Sequence, residues 1–201
     1  MIELLPPALI LIAGSLALSW LRGWLRDGAV LGLPLATLAA VWMLPSDAVL
    51  TLPFLDYELI PVSVTPLGRM FATIFSIMAF AGGLFALRQA STLELSAAFL
   101  YAGSAIGVTF AGDLITMFIF WELMAIGSTL VLLAANTDNA RRASFRYILF
   151  HILGGVLLMI GIEAEIARTG SVAFGAMTLD SYGRWFILAG FLINTAAPPF
   201  A

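Results

Sequence analysis

The chain has 201 residues, of which 62% are hydrophobic and 10% are charged, and its net charge is −3. Soluble domains carry about 25% charged residues, so this composition excludes a soluble globular protein and indicates an integral membrane protein. The basic residues are scattered, which excludes a nucleic-acid-binding face. Because the chain has no cysteine, it has no disulfide, thiolate nucleophile or cysteine-ligated metal site.

Seven stretches of the chain are apolar enough to form membrane helices. A helix needs roughly 20 mostly apolar residues to cross the ~30 Å hydrocarbon core. In chain order, the stretches cover residues 4–21, 28–46, 70–87, 95–112, 114–137, 147–162 and 185–201. We therefore predict an all-α, polytopic transmembrane helix bundle with about seven helices.

The loop at 46–69 joins the second and third predicted helices. Its segments VLTLPFL and LIPVSVT are rich in β-branched residues, and Asp56 and Tyr57 lie between them. This pattern predicts a short β-hairpin at the membrane surface, in which the prolines allow only edge strands.

The arginines are distributed unevenly between the two sets of loops. One set contains Arg22, Arg26, Arg88, Arg141, Arg142 and Arg146, and the other contains Arg69, Arg168 and Arg184. Since cytoplasmic loops carry the excess of basic residues, we predict that the first set is cytoplasmic and that the N-terminus lies outside.

Glu122 is the one charged residue in the stretch from 114 to 137. It lies nine residues after Asp113, which corresponds to a depth of about 13 Å at helical rise. A charge at such a depth costs at least ~2.5 kcal/mol, and intramembrane acids are by default pathway residues. A proton-carrying role is therefore the favoured interpretation, and a protonated structural carboxyl is the alternative.

The segment FLINTAAPPFA contains Asn194, followed by Pro198 and Pro199. Paired prolines predict a break in the seventh helix, and broken helices are where transporters place ion sites. Asn194 lies ten residues after Arg184, a depth of about 15 Å. We therefore expect Asn194 to lie level with Glu122 and to share a hydrogen bond with it, directly or through a water molecule.

His151 is the only histidine in the chain. His151 lies nine residues after Arg142 and five after Arg146, whereas Glu122 lies sixteen residues before Asp138 at the same membrane face. The two side chains would therefore differ in depth by 7 to 11 residues, or roughly 10–16 Å at helical rise, so a direct bond between them is not expected. His151 is either a second proton station near the cytoplasm or a neutral side chain that bonds to a neighbouring helix. Gly154 and Gly155, which follow it, predict a close helix contact.

Three other acidic residues have a simpler interpretation. Asp113 is expected to cap the fifth helix at the membrane interface. Glu163 and Glu165, close to Arg168, are expected to form a solvated cluster at the outer end of the sixth helix.

The stretch GDLITMFIFWELMAIGSTLVLLA resembles the start of the proton-conducting membrane transporter domain. That domain is shared by antiporter-like subunits of respiratory complex I and by Mrp-type cation/proton antiporters, and the stretch is most similar to the D-type Mrp subunit. NTAAPPFA resembles the family's broken seventh helix, with Asn194 at the position of a lysine and Pro199 at the position of a proline.

The resemblance implies about fourteen helices in inverted repeats after a three-helix lead-in. Residues 1–90 would form the lead-in, with its outer loop at 46–69, and residues 91–201 would form the first part of the transporter repeat, truncated inside a helix. The resemblance also implies that Glu122 pairs with a lysine of the seventh helix. Asn194 occupies that position, and the chain contains no lysine.

The resemblance therefore implies a membrane subunit that takes part in proton translocation, as in Mrp-type Na+/H+ antiporters, in a bacterial inner membrane. Its proton path would contain Glu122, Asn194 and His151, and its partners would be other membrane subunits, lipid, protons and, as coupling ion, Na+. The alternative is a non-pumping structural subunit of an antiporter or of an NADH–quinone oxidoreductase-like or hydrogenase-related complex. Neither interpretation implies a cofactor, a metal or catalytic chemistry within this chain.

Overall fold

A computed structural model describes residues 5–175 and 178–197. In these ranges the chain forms seven helices and two strands: α1 (Pro7–Ala17), α2 (Trp24–Met43), β1 (Val49–Phe54), β2 (Tyr57–Ser63), α3 (Pro66–Ala86), α4 (Thr92–Phe110), α5 (Leu114–Ala134), α6 (Asp138–Thr169) and α7 (Tyr182–Asn194). The predicted helical membrane bundle is confirmed, because α2 to α6 are each long and apolar enough to cross a membrane.

Two of the seven predicted spans are shorter than expected. Helix α1 has 11 residues and α7 has 13, or about 16 and 20 Å at helical rise, less than the ~30 Å hydrocarbon core. Helix α1 starts at the Pro6–Pro7 pair, and α7 ends at Asn194 ahead of the prolines. The predicted helix break at Pro198 and Pro199 lies outside the described residues.

Polar residues at the helix ends explain why the chain turns where it does. Ser91, Asp113 and Thr137 each accept a hydrogen bond from the backbone N–H three residues on, at the starts of α4, α5 and α6. These are N-caps, which satisfy an otherwise unpaired helix amide. Gly170 follows the last residue of α6 and caps it, with a φ of 69°, the left-handed conformation that glycine adopts at little cost.

The helices alternate in direction and so define two sides of the bundle. We call the side that carries the strands, the α4–α5 junction and the loop after α6 the hairpin side. The opposite end, with the loops at 18–23, 87–91 and 135–137, is called the arginine side. There the Arg26 guanidinium donates to the carbonyls of Leu87 and Ala90 at 3.3 and 3.0 Å, which joins α2 to the α3–α4 turn.

The predicted β-hairpin is present. Strands β1 and β2 pair antiparallel around a turn at Leu55 and Asp56, with an irregularity between Leu50 and Leu52. The hairpin packs on the α4–α5 junction through two hydrogen bonds: Gly112 N–H donates to the Ile60 carbonyl at 2.8 Å, and Ile60 N–H donates to Asp113 Oδ2 at 2.6 Å.

Asp113 caps α5 as predicted, but it is fully buried beneath the hairpin and not at an open interface. Besides the Ile60 amide, its carboxylate accepts the N–H of Thr116 at 2.8 Å and the hydroxyl of Thr116 at 2.6 Å. The sequence could not show this burial, because the hairpin residue that bonds to Asp113 lies 53 positions away in the chain.

Two apolar clusters hold the bundle together. The first cluster lies between the four helices α1, α2, α3 and α4 and the hairpin. It includes Leu11, Val30, Phe99 and Phe110. The second lies on the hairpin side between α5, α6 and α7 and consists of Leu114, Met117, Leu158, Ile162 and Ile187. We call this second group the hairpin-side apolar cluster.

Glycines bring α6 and α7 into backbone contact. A Cβ added at Gly161 would lie 2.6 Å from the Gly183 carbonyl oxygen, and one added at Gly190 would lie 2.8 Å from the Gly154 carbonyl oxygen. Such contacts are shorter than van der Waals distance, so these positions require glycine. Small residues at helix contacts are the usual device for packing membrane helices closely.

Candidate functional site

Glu122 projects from α5 toward α6. It is half-buried, and its Oε1 atom is fully buried without a hydrogen-bond partner among the described residues. Its carboxyl lies against Gly155, where an added Cβ would be 2.6 Å from Oε1. Gly155 therefore provides the space in which the carboxyl sits.

Asn194 is the last residue of α7 and approaches the same part of α6. Its side chain lies against Gly154, where an added Cβ would be 2.6 Å from Asn194 Cγ. Since Gly154 and Gly155 are consecutive, Glu122 and Asn194 lie at the same level of the membrane on either side of α6, in line with the depths counted from the sequence.

The Asn194 carboxamide, assigned by its hydrogen-bond network, is used by groups other than Glu122. Its oxygen accepts from the indole N–H of Trp121 at 3.1 Å, and its nitrogen donates to the His151 carbonyl at 3.3 Å. The expected direct bond between Glu122 and Asn194 is not formed among the described residues. Asn194 instead joins α7 to both α5 and α6.

Trp121 is the site residue that sequence reasoning missed. Tryptophans in membrane proteins are commonly interfacial anchors, but Trp121 lies deep in α5 and packs edge-on against Phe191 of α7, with ring centroids 5.1 Å apart. Its position directly before Glu122, at the depth of Asn194, was the available signal. The indole N–H of a partly buried tryptophan usually finds an acceptor, and Asn194 is that acceptor here.

His151 is buried on α6, and its Nε2 has no hydrogen-bond partner among the described residues. Its ring stacks on Tyr147 at a centroid distance of 5.7 Å. The Tyr147 hydroxyl shares a 2.8 Å hydrogen bond with the hydroxyl of Ser128 on α5. These three side chains form a polar row that leads from the level of Glu122 toward the arginine side.

The predicted separation in depth between Glu122 and His151 is too large. Glu122 lies against Gly155, which is four residues and about 6 Å of helical rise from His151. The count along the sequence starts at Arg142 and Arg146 and treats them as loop residues. Helix α6 already begins at Asp138, directly after the turn between α5 and α6. Counted from Asp138, His151 is 13 residues along α6 and Glu122 is 16 residues back along α5, so the two lie at similar depths.

On the hairpin side of Glu122 the environment is apolar. The hairpin-side apolar cluster fills the space between α5, α6 and α7 from Leu114 to the level of Leu158. All five of its core members are almost fully buried. The polar row therefore continues from Glu122 in one direction only.

Glu165 and Arg184 form a separate ionic cluster at the hairpin-side ends of α6 and α7. Glu165 is buried and not solvated as expected, whereas Glu163 is exposed. Arg184 donates to Glu165 Oε1 through Nε and Nη2 at 3.1 and 2.9 Å, and Arg168 donates to the same oxygen at 2.6 Å. The sequence pattern concealed this pairing because Arg184 lies on the next helix.

The outer rim of this cluster is exposed. Arg184 Nη1 donates to Asp180 Oδ1 at 2.7 Å. The Thr178 hydroxyl donates to the Asp180 carboxylate at 3.1 Å, and this bond, together with the adjacent Arg184, lowers the pKa of Asp180 from its usual value. Within the described ranges no group of three or more His, Asp or Glu side chains is placed to hold a metal ion.

The fold and this site define a class of protein: a polytopic membrane helix bundle with an acidic side chain packed against a neighbouring helix inside the membrane. Comparisons with known proteins are consistent with that class. Residues 111–201 match the family model described as NADH:quinone oxidoreductase/Mrp antiporter, transmembrane.

Three relatives illustrate the similarity. The D-type subunit of the Na(+)/H(+) antiporter of Bacillus subtilis is 34% identical over 85 residues, which is 42% of this chain and 17% of that protein. A chain of the Mrp complex from Dietzia sp. DQ12-45-1b superimposes with a TM-score of 0.81 at 18% identity, over 97% of this chain and 23% of that one. A chain of respiratory complex I from Thermus thermophilus superimposes with a TM-score of 0.76 at 17% identity, over 96% of this chain and 45% of that one.

Residues 111–201 are therefore similar in sequence to the NADH:quinone oxidoreductase/Mrp antiporter family, and the chain shares its fold with a chain of an Mrp complex and a chain of respiratory complex I. The chain spans less than half the length of each relative named above.

Proposed function

We propose that this chain takes part in proton translocation as a membrane subunit of a multisubunit Mrp-type cation/proton antiporter, with Glu122 as its protonatable group. The observation that carries the proposal is the environment of Glu122: a carboxyl with a buried, unpaired oxygen among the described residues, next to a polar row on one side and an apolar cluster on the other. An intramembrane acid in such a position is by default a pathway residue.

In this proposal, His151, Tyr147 and Ser128 connect Glu122 to the arginine side. His151 exchanges protons near neutral pH, and the two hydroxyls both donate and accept hydrogen bonds. Glu122 and His151 each have a buried atom without a partner in the described part of the chain, and His151 meets Tyr147 by ring stacking, so the proposal requires bridging water molecules along the row.

Asn194 has a different role from the family's lysine. It is neutral, and both halves of its carboxamide are used by Trp121 and His151. Asn194 therefore fixes the end of α7 and the position of the His151 backbone, and it does not supply a counter-charge to Glu122.

We further propose that the arginine side is cytoplasmic, that the N-terminus is outside and that the membrane is a bacterial plasma membrane. Six of the nine arginines lie near the arginine side, and the positive-inside rule supports this orientation. Residues 1–90 would then be the lead-in and residues 91–201 the first part of the transporter repeat. Other membrane subunits, protons and Na+ would be its partners.

The second candidate is a non-pumping scaffold that joins membrane subunits of an antiporter or of a complex I-like assembly. The replacement of the expected lysine by Asn194 favours this function. An unpaired carboxyl next to a one-sided polar row favours translocation, because a scaffold gains nothing from the cost of burying Glu122.

Proton uptake into inverted membrane vesicles that contain the assembled complex distinguishes the two. Glu122→Gln keeps the shape of the side chain and removes its proton exchange, so uptake should fall by about 100-fold or more. Glu163→Gln is the matched control, since Glu163 is exposed at the end of α6, and it should leave uptake unchanged. Equal uptake by wild type and Glu122→Gln, at equal assembly, would support the scaffold.

A further inference from the structure

A cavity of about 440 Å³ lies between the hairpin-side ends of α2 and α3, away from the proton site on α5 and α6. Its walls include Trp42, Asp47, Arg69, Met70 and Ile74. The proposed function uses none of these residues. The cavity combines two opposite charges with an apolar wall.

The charged end of the cavity lies at the turn that follows α2. Arg69 Nη2 donates to the carbonyls of Leu44 and Pro45 at 2.8 and 3.1 Å, and the guanidinium lies 5.8 Å from the centre of the Trp42 ring. These contacts hold the guanidinium in place. Its Nε and Nη1 atoms have no hydrogen bond within the part of the chain that the structure describes, so they can serve a ligand.

Asp47 faces the same cavity, and no ion pair joins it to Arg69 among the described residues. Its backbone adopts a φ of 61°, a left-handed conformation that costs a non-glycine residue free energy and concentrates at functional positions. Two opposite charges that line one cavity without pairing fit a ligand that carries both charges itself.

The other end of the cavity is apolar and runs along α3 into the membrane. Met70 and Ile74 are four residues apart and so lie on one face of α3, and both are exposed. Ile74 is eight residues into the helix, or about 12 Å below its start. Trp42 lies opposite, at the depth where tryptophans meet the headgroup region.

We propose that this cavity binds a zwitterionic phospholipid of the hairpin-side leaflet, with a primary amine in its headgroup. The phosphate accepts charge-assisted hydrogen bonds from Arg69, and the ammonium donates to Asp47. One acyl chain follows Met70 and Ile74. Phosphatidylethanolamine has this chemistry, whereas an anionic headgroup would be repelled by Asp47 and a quaternary amine has no N–H to donate.

Photolabelling in nanodiscs tests the site. The purified complex is placed in nanodiscs that contain diazirine-acyl phosphatidylethanolamine, phosphatidylglycerol or phosphatidylcholine, and labelled peptides are identified by mass spectrometry. The phosphatidylethanolamine probe should label the peptide containing Met70 and Ile74 about tenfold more than the other two. Equal labelling by all three lipids would overturn the proposal.

Asp47→Asn is the decisive variant, because no hydrogen bond in the described structure depends on the Asp47 side chain and folding should be unaffected. It should abolish the preference for phosphatidylethanolamine over phosphatidylglycerol, and Arg69→Gln should reduce labelling by all three lipids. Asp56→Asn, at the hairpin turn, is the matched control and should change nothing. A preference that persists in Asp47→Asn, or another protein chain cross-linked to the cavity in place of lipid, would show that the assignment is wrong.

Discussion

At the scale of single residues, the site depends on two consecutive glycines as much as on its polar groups. Gly155 makes room for the Glu122 carboxyl, and Gly154 makes room for Asn194. Neither glycine has a positive φ, so the requirement is for space and not for backbone freedom. The polar groups could not lie level with each other against α6 if either position carried a side chain.

Gly155→Ala should therefore displace the Glu122 carboxyl. The added Cβ would lie 2.6 Å from Oε1, and because the carboxyl is the far end of a flexible side chain, it can turn away at little cost in stability. We expect proton uptake by the assembled complex to fall by roughly tenfold or more, because the carboxyl is misplaced, while the melting temperature stays close to that of the wild type.

Gly82→Ala, on α3, is the control for this prediction. An added Cβ there meets nothing within 4 Å, so the variant should match the wild type or be slightly more stable. If Gly155→Ala takes up protons as fast as Gly82→Ala does, Glu122 does not occupy the position described.

At the scale of helices, α6 is the element on which the site is built. It carries His151, Gly154 and Gly155, and it contacts Glu122 of α5 and Asn194 of α7. Its hairpin-side end is joined to α7 by the ion pair between Glu165 and Arg184. The position of α7, and therefore of Asn194, depends on this end contact as well as on the glycines.

Glu165→Gln should weaken the joint between α6 and α7. The amide keeps one oxygen but loses the negative charge that Arg184 and Arg168 share, and an incompletely paired buried group costs about 1–3 kcal/mol. We expect a lower melting temperature, by roughly 3–10 °C, and faster proteolysis in the segment between the helices.

Glu163→Gln tests the specificity of this effect, because Glu163 is two residues away on the exposed face of α6. Single exposed charges contribute at most about 1 kcal/mol, so this variant should melt as the wild type does. Identical proteolysis of both variants would mean that the ion pair does not hold the helices together.

At the scale of the whole molecule, polarity is arranged asymmetrically around the membrane midplane. The polar row of Ser128, Tyr147 and His151 lies toward the arginine side, and the hairpin-side apolar cluster closes the other direction. In the proposed function, this arrangement would give Glu122 access to the aqueous phase on the arginine side only. A proton carrier requires this property, since contact with both phases would be a leak.

Cysteine accessibility can test this asymmetry directly, because the natural chain has no cysteine. Ser128→Cys should react with a charged methanethiosulfonate reagent added from the arginine side. Met117→Cys, within the hairpin-side apolar cluster, should not react from either side, since water does not reach it.

Exposed reference positions define the two sides in the same experiment. Asp56→Cys, at the hairpin turn, and Asn139→Cys, at the start of α6, should label from opposite faces of the membrane. With the proposed orientation, Asn139→Cys labels from the cytoplasm. Reaction of Met117→Cys from the hairpin side, with Ser128→Cys unreactive, would reverse the proposed access.

The sequence by itself determined the features that follow from local chemistry. Apolar stretches of membrane length predicted α2 to α6, the β-branched segments predicted the hairpin, and Asp113 was identified as a cap. Residue counting placed Glu122 and Asn194 at one level, because helical rise is nearly constant. The count failed for His151, since charged residues do not mark the end of a helix that continues beyond the hydrocarbon layer.

The tertiary structure decided what depends on contacts between distant segments. Trp121 became the partner of Asn194, Glu165 became buried against Arg184, and Asp113 became covered by the hairpin only when residues 19 to 73 positions apart were brought together. A sequence pattern reports the depth and face of a side chain along its own helix. Which helix lies opposite, and in which rotation, is set by the glycine contacts of α6, and no periodicity along one helix contains that information.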